Sequence, residues 1–146
     1  MEDRSLENVA SIERHLRKVD YIIRIKGREI LSDFNITVPQ FSALQILINK
    51  GNMTIGDLSQ DMALACSTIT DLIDRMEKSE LVARIKDDKD KRVVRVEVLK
   101  KGHDILDEVL KKRIEFLDSK LINLSDEEKE NLDKGLDLLY DVMKDE

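Results

Sequence analysis

Val9, Ile12, Leu16, Val19, Ile23, Ile30 and Phe34 recur at steps of three, four or seven, with Arg14, Arg17, Lys18, Arg24 and Arg28 on the other positions. This is the helical period, and it predicts one long amphipathic helix from Leu6 to Phe34. A helix of that length inside a small protein often packs against a partner chain. Thr37 and Gln40 have the spacing of a capping box, Pro39 is tolerated in a first turn, and Ile36 and Phe41 stand at hydrophobic-staple positions. A second helix is therefore expected to run to about Asn49, where Gly51-Asn52 breaks it. Thr54 can cap a short third helix from Ile55 to about Asp61, with Met53 and Leu58 again at staple positions. A turn at Ala63–Ala65 leads to a fourth helix, Ser67 to Ser79, with Ile69, Leu72, Ile73 and Met76 facing inward. A short helix, a tight turn and a second amphipathic helix make a helix-turn-helix candidate.

The period changes at residue 82. Ala83 and Ile85 alternate with Arg84 and Lys86, and Val94, Val96 and Val98 alternate with Arg95 and Glu97. Between them Asp87-Asp88-Lys89-Asp90-Lys91 reads as a charged turn. The pattern predicts a two-stranded hairpin with one apolar face and a basic rim, placed as a wing directly after the helix-turn-helix. Gly102 is read as the end of the hairpin. A fifth helix is expected from about His103 to Ile122. A sixth is opened by a Ser125/Glu128 capping box and carries Leu132, Leu136, Leu139 and Met143 at heptad-like spacing. The fold class expected is mainly α with a small β-hairpin, one domain over 1–146. Residues 35–102 form a winged helix-turn-helix lobe, and 1–34 and 103–146 supply dimerisation helices.

Charge sharpens this picture. The net charge of −6 argues naively against nucleic acid, but its distribution is uneven. Residues 82–102 hold eight Lys/Arg against four Asp/Glu, net +4, whereas residues 103–146 hold seven against fourteen, net −7. The basic segment coincides with the wing. Aromatic residues are too few for stacking on single strands, so duplex DNA is the better match. One cysteine, Cys66, and two distant histidines, His15 and His103, offer no metal-ligand spacing, and no glycine-rich phosphate loop is present. Neither cofactor, metal nor enzymatic activity is expected. No apolar run approaches a membrane span, and the N-terminal Met-Glu-Asp-Arg has no apolar signal core, so a cytoplasmic protein without membrane contact is expected.

Four segments resemble the MarR family of bacterial transcriptional regulators, in order and at the right spacing over nearly the whole chain. They are Thr37-Val38-Pro39-Gln40-Phe41, Met53-Thr54-Ile55-Gly56-Asp57-Leu58, Ser67-Thr68-Ile69-Thr70 with Leu72-Ile73-Asp74-Arg75-Met76-Glu77-Lys78, and Leu81-Val82 with Arg84 leading to Asp90-Lys91-Arg92. Two positions depart from the family pattern. Asp71 stands where a basic residue is common, and Glu80 stands where glycine is favoured. An acid near phosphates is repulsive, so Asp71 either meets a cytosine amino group or lies off the contact surface. Glu80 would adopt a left-handed helix cap at a steric cost.

The resemblance implies a homodimer on a pseudo-palindromic DNA site, with repression the common mode. Ser67, Thr68 and Thr70 would offer hydroxyls to base edges and phosphates from the recognition helix, and Arg75 would reach the backbone. Arg92 would enter a narrow minor groove, Asp90 would orient a wing arginine, and Lys89, Lys91 and Arg95 would contact phosphates. The dimer interface would use Val9, Ile12, Leu16, Leu132, Leu136 and Leu139. The family commonly binds small aromatic effectors between the dimerisation helices and the DNA-binding lobe; no residue here identifies one. Cys66 is expected as a small packing residue rather than a redox sensor, and Tyr21, Phe34, Phe116 and Tyr140 as core. The reading from a different class is a helical interaction module that has lost DNA binding, supported by Asp71 and the net acidity.

Overall fold

A long helix, α1 (Glu2–Asp33), opens the computed structural model, which describes residues 2–144. It starts four residues before the expected Leu6, and only its C-terminal turn, with Ile30 and Leu31, is buried. α1 ends with Asn35 at φ 55, where the Ile36 N–H donates to the Leu31 carbonyl and the Asn35 N–H to Ser32. These paired bonds satisfy carbonyls the helix end would orphan.

α2 (Val38–Lys50) begins at the Thr37/Gln40 capping box. Gln40 N–H donates to Thr37 Oγ1 and Thr37 N–H to Gln40 Oε1. Both staple residues, Ile36 and Phe41, are buried. A two-residue strand, β1 (Met53–Thr54), precedes α3 (Ile55–Met62), and α4 (Cys66–Lys78) follows across a turn in which Ala63 is left-handed. β2 (Val82–Lys86) and β3 (Val94–Val98) form the wing, and α5 (Lys100–Lys120) and α6 (Asp126–Met143) complete the chain.

The chain divides into two compact units, Met1–Leu110 and Lys111–Glu146. The first holds the core, in which Leu44, Leu58, Ile69, Ile73, Met76, Val82, Val96 and Val109 are fully buried. In the second, α6 buries none of its described residues.

Three expectations need correction. The sheet has three strands in the order β1-β3-β2, with Met53 opposite Val96. A strand of two residues is too short to show a period and exists only because β3 lies beside it. The hairpin's apolar residues do not share one face. Ala83 pairs with Glu97 and Ile85 with Arg95, while Arg84 pairs with Val96. Directly opposed residues lie on the same side of a sheet, so Arg84, not Ala83 or Ile85, stands with the buried Val96. Finally, α5 starts at Lys100, and Gly102 lies within its first turn rather than ending the hairpin. A Cβ there would sit 2.5 Å from the Leu81 carbonyl oxygen and 2.7 Å from Val98 Cγ1. The missing side chain is what lets α5 seat against the sheet.

Candidate nucleic-acid interface

The α3–turn–α4 segment is held by local hydrogen bonds. Thr54 Oγ1 accepts from the Asp57 N–H and caps α3. At the other end of α3, the Leu64 N–H donates to the Ser59 carbonyl, and Ser59 Oγ donates to the Leu64 carbonyl. Both bonds fold the turn back on the helix, so α4 leaves at a set angle. The Lys50–Asp61 ion pair at 2.6 Å adds a tie from α2 to α3.

The N-cap of α4 is Ala65, which provides no side-chain hydrogen bond. Its first N–H groups are thus left for solvent or an anion. Ile69, Ile73 and Met76 are buried and Leu72 is half-buried, whereas Ser67, Thr68, Thr70, Asp71, Asp74 and Arg75 are exposed. Cys66 is exposed as well, so it is not a packing residue: it is the first residue of α4, ahead of the buried stripe. At the C-terminus Glu80 adopts φ 63, with Glu80 N–H bonded to the Glu77 carbonyl and Leu81 N–H to that of Met76. Leu81 and Met76 are both buried, the apolar contact that accompanies this cap. The Lys101 ammonium donates to the Ser79 carbonyl, placing a cation at the negative end of α4.

The wing is fastened to α4 by Arg84. Its Nη2 lies 2.6 Å from Asp74 Oδ1, its Nη1 lies 2.8 Å from Glu77 Oε1, and its backbone N–H donates to Glu77 Oε2. The Arg84 backbone N–H, joined by its guanidinium, holds the Glu77 carboxyl below its ordinary value. Partial burial works against the charge of Arg84, but Asp74 and Glu77 outweigh it and raise its pKa.

The wing tip is organised by two carboxylates. Asp87 accepts from Arg95 Nε at 2.7 Å and from the backbone N–H groups of Asp90 and Lys89. Those donors, Arg95 first, keep its pKa low. Asp90 accepts from Arg92 Nε and Nη2 and from the Arg92 backbone N–H, and its pKa is lowered by the same residue. The Arg92 side chain is 91% exposed, so Asp90 holds it without covering it. Lys89 and Lys91 are exposed beside it. Arg95 is half-buried, held by Asp87 and the Asn52 carbonyl.

The expected site residues therefore fall into two groups on the first unit: Ser67, Thr68, Thr70 and Arg75 on α4, and Lys89, Asp90, Lys91, Arg92 and Arg95 on the wing. Sequence reasoning missed the joining and bracing roles of Asp74, Glu77 and Arg84 between the groups and of Asp87 and Asn52 under the tip. Asp87 was visible only as one acid in a charged turn, and Arg84 only as a rim residue and a member of the wing motif. Outside the interface, Val9, Ile12, Leu16, Leu132 and Leu136 are exposed and Leu139 is half-buried. Tyr21 and Tyr140 are also exposed rather than core, because the helices that carry them bury little, while Phe34 and Phe116 are half-buried. His15 and His103 are exposed. No described helix is long and apolar enough to cross a membrane.

Comparison with known proteins gives the same architecture a family. Residues 36–94 match the MarR family model. The chain is 51% identical, over 99% of both chains, to the HTH-type transcriptional regulator YsmB of Bacillus subtilis (strain 168). A MarR family protein from Bacillus stearothermophilus superposes with a TM-score of 0.86 at 45% identity, covering 94% of this chain and 96% of that one. A Staphylococcus aureus MepR variant solved with a bound oligodeoxyribonucleotide shares the fold with a TM-score of 0.72 over 90% of this chain and 97% of its own, at 19% identity. This chain belongs to the MarR family of transcriptional regulators, a non-enzymatic family whose DNA-binding element is the winged helix-turn-helix described above.

Proposed function

We propose that this chain is a cytoplasmic repressor that binds a pseudo-palindromic operator as a homodimer and is released by a small aromatic effector. The observation that carries the DNA reading is the exposed polar face of α4 joined through Arg84 to a wing that projects Arg92. α4 enters the major groove with Ser67, Thr68 and Thr70 toward base edges and phosphates and Arg75 toward the backbone. Arg92, held by Asp90, enters the minor groove, where narrowing concentrates negative potential. Lys89 and Lys91 meet phosphates. Arg95 serves the same end at closer quarters, since its ties to Asp87 and Asn52 leave it less reach.

The homodimer is supported by apolar surface that the single chain leaves uncovered. Val9, Ile12 and Leu16 on α1 and Leu132 and Leu136 on α6 form helical stripes that water does not favour. Residues 1–34 and 103–146 are assigned to this interface and 35–102 to the DNA-binding lobe. An open groove at the junction of α1 and α2, lined by Arg28, Leu31, Ser32, Asn35 and Val38, supports the effector reading. If no phenolic compound raises the melting temperature, the effector is dropped.

The test is fluorescence anisotropy of the purified protein on its own upstream intergenic DNA across a salt series. The expected result is tight binding to a short palindrome, falling steeply with salt. Equal, weak binding to all DNA would favour an interaction module instead. Deleting the gene should raise expression from that upstream region; a fall would reverse the sign of regulation.

A further inference from the structure

On α4, Ser67, Asp71 and Lys78 are separated by steps of four and seven residues, which align on a helix of about 3.6 residues per turn. They lie opposite the buried Ile69, Ile73 and Met76 and so mark the middle of the outward face. α4 carries three carboxylates, and the structure treats them differently. Asp74 and Glu77 are each ion-paired to Arg84 and share its single positive charge. Asp71 is exposed and makes no hydrogen bond or ion pair among the described residues.

A bare carboxylate at the centre of a surface that approaches phosphates weakens every complex in which nothing on the DNA meets it. In the major groove, guanine presents only acceptors and thymine an acceptor and a methyl group. Adenine pairs its amino donor with the N7 acceptor, which suits an amide but repels a carboxylate. Cytosine alone presents its amino donor with no acceptor of its own beside it.

We infer that Asp71 is a specificity-determining residue that accepts a hydrogen bond from the 4-amino group of a cytosine in each half-site. The same charge disfavours DNA that offers an acceptor there, which lowers non-specific binding and widens discrimination. The inference rests on the reading of α4 as the major-groove helix.

The experiment is selection from a randomised duplex pool by the full-length protein, Asp71→Ala and Asp71→Asn. Affinities are then measured with each base pair of the selected site exchanged in turn. Both substitutions are at an exposed helical position, and alanine is the best helix former, so folding should be retained. One position per half-site should require cytosine, with exchange costing the wild type roughly 5- to 150-fold. Asp71→Ala should flatten the preference at that position alone and bind unselected DNA more tightly, and Asp71→Asn should move it toward adenine. Identical base preferences in wild type and Asp71→Ala, or a uniform gain in affinity on all sequences, would overturn the inference while leaving a sequence-specific regulator. A wild type that selects no sequence would remove both.

Discussion

Arg84 on β2 places its Nη2 2.6 Å from Asp74 Oδ1 on α4, ten residues earlier in the chain and on the preceding element. With the second arm on Glu77, this contact ties α4 to the wing and sets one cation between two acids. Arg84→Met keeps much of the apolar stem but removes the charge. Half-exposed ion pairs contribute little to folding, so stability should fall by at most about 1 kcal/mol. DNA affinity should fall more, on the order of tenfold, because two acids are left unpaired near phosphates. Adding Asp74→Asn and Glu77→Gln should recover part of that loss. Urea denaturation and anisotropy on the same preparations separate the two effects, and equal losses in both would contradict this account.

Arg92 projects from the wing with its side chain 91% exposed and is braced, among the described residues, by Asp90 alone. Arg92→Ala should leave the melting temperature unchanged and weaken DNA binding at low salt. If the side chain displaces one counterion, the log–log salt slope should shrink by about 1. A helical interaction module would be indifferent to the change, so an unaltered binding curve would favour that reading.

Gly102 admits no side chain without movement of the backbone at Leu81. Gly102→Ala should destabilise the first unit by about 1–3 kcal/mol, as overpacked cores do, despite the better helix propensity of alanine. A thermal melt that rises instead would mean α5 does not seat here.

Glu80 sits at φ 63, a conformation an L side chain holds at a cost. Glu80→Gly should stabilise by about 1 kcal/mol with no change in the α4 cap bonds. Chemical denaturation measures this directly.

Glu77, Asp87 and Asp90 all titrate below their ordinary values of 4.5, 3.8 and 3.8 in the folded chain. A carboxylate whose folded pKa is depressed contributes stability above its unfolded value and loses it as pH falls through the folded one. Wing order should therefore persist at neutral pH and decline only below about pH 4. Carboxyl carbon shifts followed by NMR should give midpoints below 3.8 for Asp87 and Asp90, and Asp87→Asn should flatten the acid limb of the stability curve. Midpoints at ordinary values would mean the Arg95 and Arg92 contacts do not persist in solution.

The features readable in advance are those whose causes lie within a few residues. Thr37 with Gln40 and Ser125 with Glu128 are three residues apart, so each capping box is complete within one helical turn. The buried stripe of α4 follows from spacing alone, and the left-handed Glu80 from its place after a helix. Other features depend on elements that meet only after the chain folds. β1 is a strand because β3 lies beside it, and Arg84 faces Val96 because a pairing register, not the local alternation, decides which side of the sheet is up. Gly102 reads as a breaker until the Leu81 carbonyl is seen against it. The sequence by itself determined which segments are helical, where they are capped and where the basic wing falls, because those depend on local hydrogen bonds and periodicity. Only the tertiary structure decided which acids Arg84 pairs with and that Asp71 has no ion pair among the described residues, because ion pairing follows distance in space rather than along the chain.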